Sequence, residues 1–369
     1  MPQSTGKSQQ DFGHLPEQSF LPQAYHLPHD QGKNPVVQKS PRVVFIEATN
    51  HCNLHCQTCP RTFFQPEPSK SLTYNEFVAI AGQFPNMQRA LLHGIGEPLL
   101  NRQLPEMICY LKQRQVEVII NSNATRLTPA WQAALIDCGL DEFRCSIDAA
   151  SNATYSRIRG ANLLPKLVTG LQGLVEKKAS SGSPTPRISI WCVATRENLA
   201  ELPDLIRLAD RTGVREVYVQ RLVYFAQNPQ QQFGMARDEL AIFGKDPTLE
   251  DEVLEACTQL SARLGIAFRA SGGRDPLNSL AAARPADFAP WRACLRPWTT
   301  AYVTANGNCL PCCIAPFGTQ QYESLVLGNL FEQPFEQIWN GPKYQAFRRA
   351  LQSQAPDGAC PSCGVSWSL

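Results

Sequence analysis

The sequence predicts an α/β fold: a partial (β/α)6 barrel of the TIM type, followed by a small cysteine-rich domain. Three observations support this fold class. Apolar runs of strand type recur through the first two thirds of the chain, amphipathic segments separate them, and cysteines are dense near the C-terminus. Because buried apolar strands that alternate with helices indicate parallel β–α units, we expect the strands to form one parallel sheet.

Six apolar runs predict the parallel strands. They are residues 42–49, 89–94, 116–122, 142–148, 187–194 and 216–222. Between the last two, residues 202–213 ("LPDLIRLADRTG") have the apolar spacing of a helix and end at a glycine, as helices often do. Ligands of such sheets bind at the carboxyl ends of the strands, so the segments after each strand are the candidates for function.

Composition divides the chain into four regions. Residues 1–40 are rich in Gln, Pro and Ser and predict a flexible arm, and residues 41–225 hold the predicted barrel. Residues 226–285 are mostly loop-forming and predict a linker with short helices. Residues 286–369 form the predicted cysteine-rich domain.

Charge and hydropathy exclude several classes of protein. A net charge of +2 gives no electrostatic footprint for nucleic acid or an acidic membrane. The sequence has no run of 18 apolar residues and no signal-peptide pattern at its N-terminus, so we expect a cytoplasmic protein without a membrane partner. In a reduced compartment the 14 cysteines are expected to be thiols or metal ligands rather than disulfides.

The loop after the first strand carries Cys52, Cys56 and Cys59 in a C-x3-C-x2-C spacing. One alternative is a zinc site, with His51 or His55 as the fourth ligand. Another is a redox pair, although the third cysteine fits that less well. Three thiolates without a fourth suit a [4Fe–4S] cluster that keeps one iron open for a ligand.

This loop resembles the cluster loop of the radical S-adenosylmethionine (SAM) superfamily. The resemblance implies that Cys52, Cys56 and Cys59 hold a catalytic [4Fe–4S] cluster whose open iron binds SAM. In that family one-electron reduction cleaves SAM to a 5′-deoxyadenosyl radical, which abstracts a hydrogen atom from the substrate. It also implies an electron donor such as a flavodoxin or a ferredoxin.

Further family elements follow the later strands. "GIGEP" (94–98) resembles the motif that seats the methionyl amino group, while "NSNAT" (121–125) and "SID" (146–148) resemble the elements of the third and fourth strands. The SAM-binding residues that the resemblance implies are Gly94, Gly96, Glu97, Asn123, Ser146 and Asp148.

The C-terminal cysteines resemble the SPASM/Twitch auxiliary-cluster domain. The resemblance implies one fully ligated auxiliary [4Fe–4S] cluster. Its ligands would be Cys294, Cys312, Cys360 and Cys363. Cys309 or Cys313 remains an alternative to Cys312, and a four-cysteine zinc ribbon is the other open interpretation. "TTAYVTANGNCLPCC" (299–313) also predicts a β-hairpin that turns at Asn306–Gly307.

The expected activity is that of a radical SAM oxidoreductase. The Twitch resemblance favours dehydrogenation of a sugar-like small molecule, with the auxiliary cluster accepting an electron. Maturation of a ribosomal peptide, epimerisation and carbon–carbon bond formation are alternatives, and a non-catalytic zinc-binding protein is the alternative of another class. Cys145 and Cys192, in the fourth and fifth strands, are candidate hydrogen-atom donors if they face the barrel interior.

Overall fold

One ten-stranded sheet organises the part of the chain that the structure describes. A computed structural model describes residues 33–222, 240–242, 246–270, 294–317, 322–353, 360 and 363. The strands are β1 (Val43–Ile46), β2 (Arg89–Leu91), β3 (Glu117–Ser122), β4 (Glu142–Ser146), β5 (Arg187–Ala194), β6 (Glu216–Arg221), β7 (Ala267–Ala270), β8 (Thr300–Val303), β9 (Asn308–Leu310) and β10 (Gly328–Asn329).

The sheet has the order β10-β9-β8-β1-β2-β3-β4-β5-β6-β7, and every pair from β8 to β7 along it is parallel. All six predicted strands are therefore confirmed. Since β10 and β7 lie at opposite ends of the sheet, the barrel is partial. The loops after the parallel strands meet at one rim, where a ligand is expected.

Helices cover the outer face of the sheet. They are α1 (Tyr74–Ala81), α2 (Leu104–Gln113), α3 (Pro129–Asp137), α4 (Asn152–Arg159), α5 (Leu164–Ser180), α6 (Leu202–Thr212), α7 (Pro247–Leu264), α8 (Arg296–Thr299), α9 (Phe335–Trp339) and α10 (Pro342–Gln352). The glycine predicted to end α6, Gly213, caps it in the left-handed region at φ 75°. In the described ranges, no helix is long and apolar enough to cross a membrane.

Alternate strand residues face opposite sides of the sheet, and this determines whether Cys145 and Cys192 face the barrel interior. Cys145 and Cys192 are buried in the core between the strands and the helices. Their strand neighbours Ser146 and Trp191 point to the other side and line the barrel cavity. Neither cysteine faces the interior, so the structure does not support either as a hydrogen-atom donor.

The segment predicted as a linker contains more regular structure than expected. Helix α7 has 18 residues, and β7 pairs in parallel with β6, which adds a seventh helix–strand unit. The four residues of β7 are too short a run to signal a strand without its partner. Most of the rest of 226–285, the predicted domain start at 286 and residues 1–32 of the predicted arm lie outside the described residues.

The cysteine-rich region continues the barrel sheet. Strand β8 pairs in parallel with β1, and β8 and β9 form the predicted hairpin, in which Gly307 takes φ 84°. Residues 33–40 cross this region, where the Asn340 side chain bonds the backbone of Val37 in both directions. The three-cysteine loop after β1 and the cysteines after β9 therefore lie side by side.

Glu47 fixes this junction. Its buried carboxyl accepts hydrogen bonds from Tyr302 Oη on β8 (2.5 Å), from Ile95 N in the glycine loop (3.0 Å) and from Ala305 N (3.3 Å). Burial raises the pKa of Glu47 from 4.5 to about 7 despite these bonds. One side chain thus ties the first strand to both the glycine loop and the hairpin.

We predict that Glu47→Gln removes a pH dependence of folding. Because the folded-state pKa is raised, the carboxyl favours the fold most below its unfolded value of 4.5, and this contribution is lost as the pH rises through about 7. The shift corresponds to roughly 3 kcal/mol of unfolding free energy. Urea unfolding between pH 5 and 8 should show wild type losing stability relative to the variant.

The matched control is Glu106→Gln, which changes an exposed glutamate on α2. It should keep the wild-type pH dependence. If the unfolding free energies of wild type and Glu47→Gln change in parallel with pH, the raised pKa assigned to Glu47 is contradicted.

Candidate active site

A cavity of about 330 Å³ opens at the carboxyl ends of the strands. All of the residues predicted for the catalytic cluster and for SAM line it. They are Cys52, Cys56, Cys59, Gly94, Gly96, Glu97, Asn123, Ser146 and Asp148. The structure brings these residues together, although their roles as ligands remain predictions.

The cysteine loop is held by its own backbone and by α4. Cys59 N donates to Cys56 O (3.1 Å), and Gln57 N donates to Ile158 O (2.9 Å). Burial raises the pKa of all three thiols, and that of Cys59 to about 12, so metal binding must displace protons from them. His51 and His55 are exposed and do not line the cavity.

The glycine loop lies too close to the cysteine loop for any larger residue. A Cβ on Gly96 would stand 2.0 Å from Thr49 O, and one on Gly94 would stand 2.1 Å from Glu47 Oε1. Glu97 N also donates to His51 O (2.7 Å). The glycines therefore keep the backbone of this loop against the start of the cysteine loop, beside the cavity.

Glu97 presents a firmly held carboxyl to the cavity. It is 2% exposed and accepts bonds from Ser122 Oγ (2.6 Å), Asn123 N (2.7 Å) and Leu99 N (3.0 Å). Burial raises its pKa, and these bonds lower it. A cationic ligand at this position would favour the ionised carboxylate, as the predicted ammonium contact requires.

Two predicted cofactor residues are linked to the cysteine loop, one directly and one through an arginine. The Asn123 side-chain amide donates to Cys52 Sγ (3.8 Å) and to Asn53 Oδ1 (3.1 Å). Asp148 Oδ2 pairs with Arg159 Nε (2.6 Å), and Arg159 Nη1 donates to Cys56 Sγ (3.8 Å). Arg159 is therefore a largely buried cation beside a predicted cluster thiol.

The predicted auxiliary cysteines form a second, partly buried group. The electrostatic neighbours of Cys312 include Cys294 and Cys363, and those of Cys360 include Cys363 and Cys294. Cys313 neighbours Cys294 too, but it also lines the catalytic cavity. Cys309 is instead fully buried in the core on the helix side. No three Cys, His, Asp or Glu side chains among the described residues converge closely enough for a single ion.

Sequence reasoning did not single out several residues of the cavity wall. His93 and Asn121 follow or end neighbouring strands. Each has a buried side-chain atom, Nε2 and Oδ1 respectively, that bonds no described residue. Trp191 and Phe317 also line the cavity. The alternation of β3 and β5 signals the inward side of Asn121 and Trp191, but no spacing signals Phe317, which comes from the cysteine-rich region.

Comparison with known families agrees with this geometry. Residues 46–209 match the radical SAM superfamily, and residues 294–364 match the SPASM iron–sulfur cluster-binding domain. The chain is a radical SAM protein with a SPASM domain. These domains imply a catalytic [4Fe–4S] cluster, SAM and auxiliary iron–sulfur ligation.

The relatives of this radical SAM protein differ in activity. It is 24% identical to a tungsten-containing aldehyde ferredoxin oxidoreductase cofactor-modifying protein of Pyrococcus furiosus, covering 83% of each chain. It is 26% identical to the mycofactocin maturase MftC of Mycobacterium ulcerans, covering 86% of this chain and 79% of that one. Its fold resembles Streptococcus suis SuiB bound to the precursor peptide SuiA, with a TM-score of 0.62 at 15% identity over 89% of this chain and 71% of that one.

The residues present fit these cofactors. Three thiols line one cavity together with the buried carboxyl of Glu97, which suits a cluster bound beside a cationic ligand. At the second group, the buried Arg296 Nε lies among thiols and has no hydrogen-bond partner among the described residues, which suits an anionic, thiolate-bound centre.

We predict that Cys56→Ala abolishes 5′-deoxyadenosine formation from SAM under dithionite, because it removes one of only three thiols of the catalytic group. Cys360→Ala should leave some uncoupled cleavage, since that thiol belongs to the second group. Chromatography of anaerobic reactions measures both.

Cys109→Ala, which removes an exposed thiol on α2, is the matched control and should behave as wild type. Retained cleavage in Cys56→Ala would refute the assignment of the catalytic loop.

Proposed function

We propose that this radical SAM protein abstracts a hydrogen atom from an uncharged, largely apolar group, and that a peptide side chain is the preferred substrate. When bound, the catalytic cluster and SAM supply the 5′-deoxyadenosyl radical. The observation that carries the proposal is the chemistry of the cavity wall beyond the predicted SAM-binding residues.

That wall is mostly apolar. Its aromatic and aliphatic members are Phe45, Leu54, Ile95, Trp191, Val193, Leu222, Ile314 and Phe317. Trp191 is held in place, because Arg144 stacks on its ring at 4.3 Å and its Nε1 donates to Ser189 Oγ (3.0 Å). Such a wall favours an apolar substrate group, because burial of apolar surface away from water is favourable.

The charges on the described wall already have partners. Asp148 pairs with Arg159 at 2.6 Å, and Glu97 accepts three hydrogen bonds. The Glu97 carboxylate is also the predicted partner of the SAM ammonium. The described wall therefore offers no further charge to a phosphate, carboxylate or ammonium of the substrate.

The cavity keeps a small capacity for hydrogen bonding. His93 Nε2 and Asn121 Oδ1 are buried and have no hydrogen-bond partner within the described ranges. Burial, with the charge of Arg144, lowers the pKa of His93 to about 3, so the imidazole stays neutral. These atoms suit one hydroxyl or amide on an otherwise apolar group.

A sugar-like substrate is the second candidate, because His93, Asn121 and Gln220 give the cavity some polar groups. It fits less well than an apolar group. A polyol has several hydroxyls, and each one buried without a partner costs about 1–3 kcal/mol. The chain is also 22% identical to a PqqA peptide cyclase of Granulibacter bethesdensis over 89% of its length, and this similarity supports a peptide substrate.

We further propose that Cys294, Cys312, Cys360 and Cys363 hold an auxiliary cluster that accepts an electron during the reaction. Cys294 and Cys363 are electrostatic neighbours of both Cys312 and Cys360, which supports this ligand set. A flavodoxin or a ferredoxin is the proposed electron donor, for which dithionite substitutes in the assays.

The test is deuterium transfer into 5′-deoxyadenosine. Reconstituted protein, SAM and dithionite are incubated with short peptides that carry a perdeuterated Val, Leu, Phe or Tyr. Parallel reactions contain matched peptides with perdeuterated Lys or Asp, or a perdeuterated aminocyclitol. We expect mass spectrometry to find deuterium from an apolar or phenolic side chain.

Trp191→Ala should reduce this transfer at least tenfold while 5′-deoxyadenosine formation without substrate continues. Transfer from the aminocyclitol or from charged side chains alone would contradict the proposed substrate class.

A further inference from the structure

Arg296 is a buried cation that has no carboxylate partner in the part of the chain that the structure describes. It begins α8, two residues after Cys294, and is 5% exposed. No acidic side chain of the described ranges forms a salt bridge with it, and its Nε has no hydrogen-bond partner. The buried arginines of the barrel differ, since Arg159 pairs with Asp148 and Arg221 pairs with Glu250, each at 2.6 Å.

The ionisable neighbours of Arg296 are thiols rather than carboxyls. Cys313, Cys294, Cys312 and Cys363 are the groups whose charge interacts with the guanidinium, and Cys313 accepts a hydrogen bond from it. An isolated buried cation is strongly unfavourable unless an anion compensates it. Iron-bound cysteines are thiolates, so a cluster at this group would supply the missing negative charge.

We propose that Arg296 tunes the auxiliary cluster, raising its reduction potential by placing a fixed positive charge against its thiolate ligands. The proposal rests on the auxiliary ligand set of the proposed function. One-electron reduction adds one negative charge to the cluster, and the guanidinium stabilises that charge without taking up a proton. Charge and hydrogen bonds near the sulfurs are known determinants of cluster potentials.

The position of Arg296 suits electron transfer from the substrate. Its hydrogen-bond partner Cys313 is also part of the wall of the catalytic cavity. The positive charge therefore lies next to the auxiliary thiols and next to one thiol of the cavity wall. A raised potential there favours passage of the electron from a substrate radical to the cluster.

The experiment isolates the auxiliary cluster in the full chain. Cys52, Cys56 and Cys59 are replaced by alanine, and the reconstituted protein is titrated anaerobically while the EPR signal of the reduced cluster is recorded. In this background, Arg296→Met and Arg296→Gln remove the charge, and Arg296→Lys keeps it. We expect the midpoint potential to fall in the two neutral variants and to stay near the parent value in Arg296→Lys.

Arg348→Met is the matched control. Arg348 is also fully buried, but it donates to the carbonyls of Pro297 and Trp339 and stacks on the Trp339 ring at 4.2 Å. Its loss should lower stability and leave the midpoint potential unchanged. If Arg296→Met fails to hold iron, the midpoint potentials of Arg296→Gln and Arg296→Lys are compared instead to test the role of the charge.

The outcomes distinguish failure of the Arg296 proposal from failure of the proposed auxiliary ligand set. An unchanged potential in the iron-loaded neutral variants, or an equal shift in Arg348→Met, would overturn the role of Arg296 alone. A background protein that holds zinc or no iron would overturn the auxiliary ligand set, and the Arg296 proposal with it.

Discussion

The geometry of the site depends on the hydrogen bonds that the buried carboxyl of Glu47 accepts. Glu47 stands at the end of β1, directly before the cysteine loop, and binds both the glycine loop and the hairpin of the cysteine-rich region. Since a Cβ on Gly94 would collide with this carboxyl, the glycine loop can approach it only without a side chain. Glu47 therefore holds the glycine loop and the hairpin beside the start of the cysteine loop.

The two groups of cysteines lie in different electrostatic surroundings. Beside the three-cysteine loop, Arg159 is already neutralised by Asp148, so its contact with Cys56 adds little net charge. Beside the second group, Arg296 is neutralised by no described carboxylate. A charge-compensated environment suits a cluster that must be reduced at low potential, and an uncompensated cation suits one that accepts an electron.

Much of the barrel and of the catalytic loop could be predicted from sequence, because local signals encode them. Apolar runs marked β1 to β6, and the spacing of Cys52, Cys56 and Cys59 marked the cluster loop. Long-range pairings were not visible. The parallel pairing of β8 with β1, the bond from Tyr302 to Glu47 and the thiol environment of Arg296 join residues that are far apart in the chain. The composition of the cavity wall depends on the same pairings. That composition favours a peptide side chain over the sugar-like substrate that the sequence predicts.

The central claim is that one chain holds an open three-cysteine cluster and a closed four-cysteine cluster. Iron, sulfide and zinc analysis of the anaerobically reconstituted full chain tests it most directly. The account predicts about eight iron and about eight sulfide per chain, as two [4Fe–4S] clusters require. Zinc without iron would contradict it.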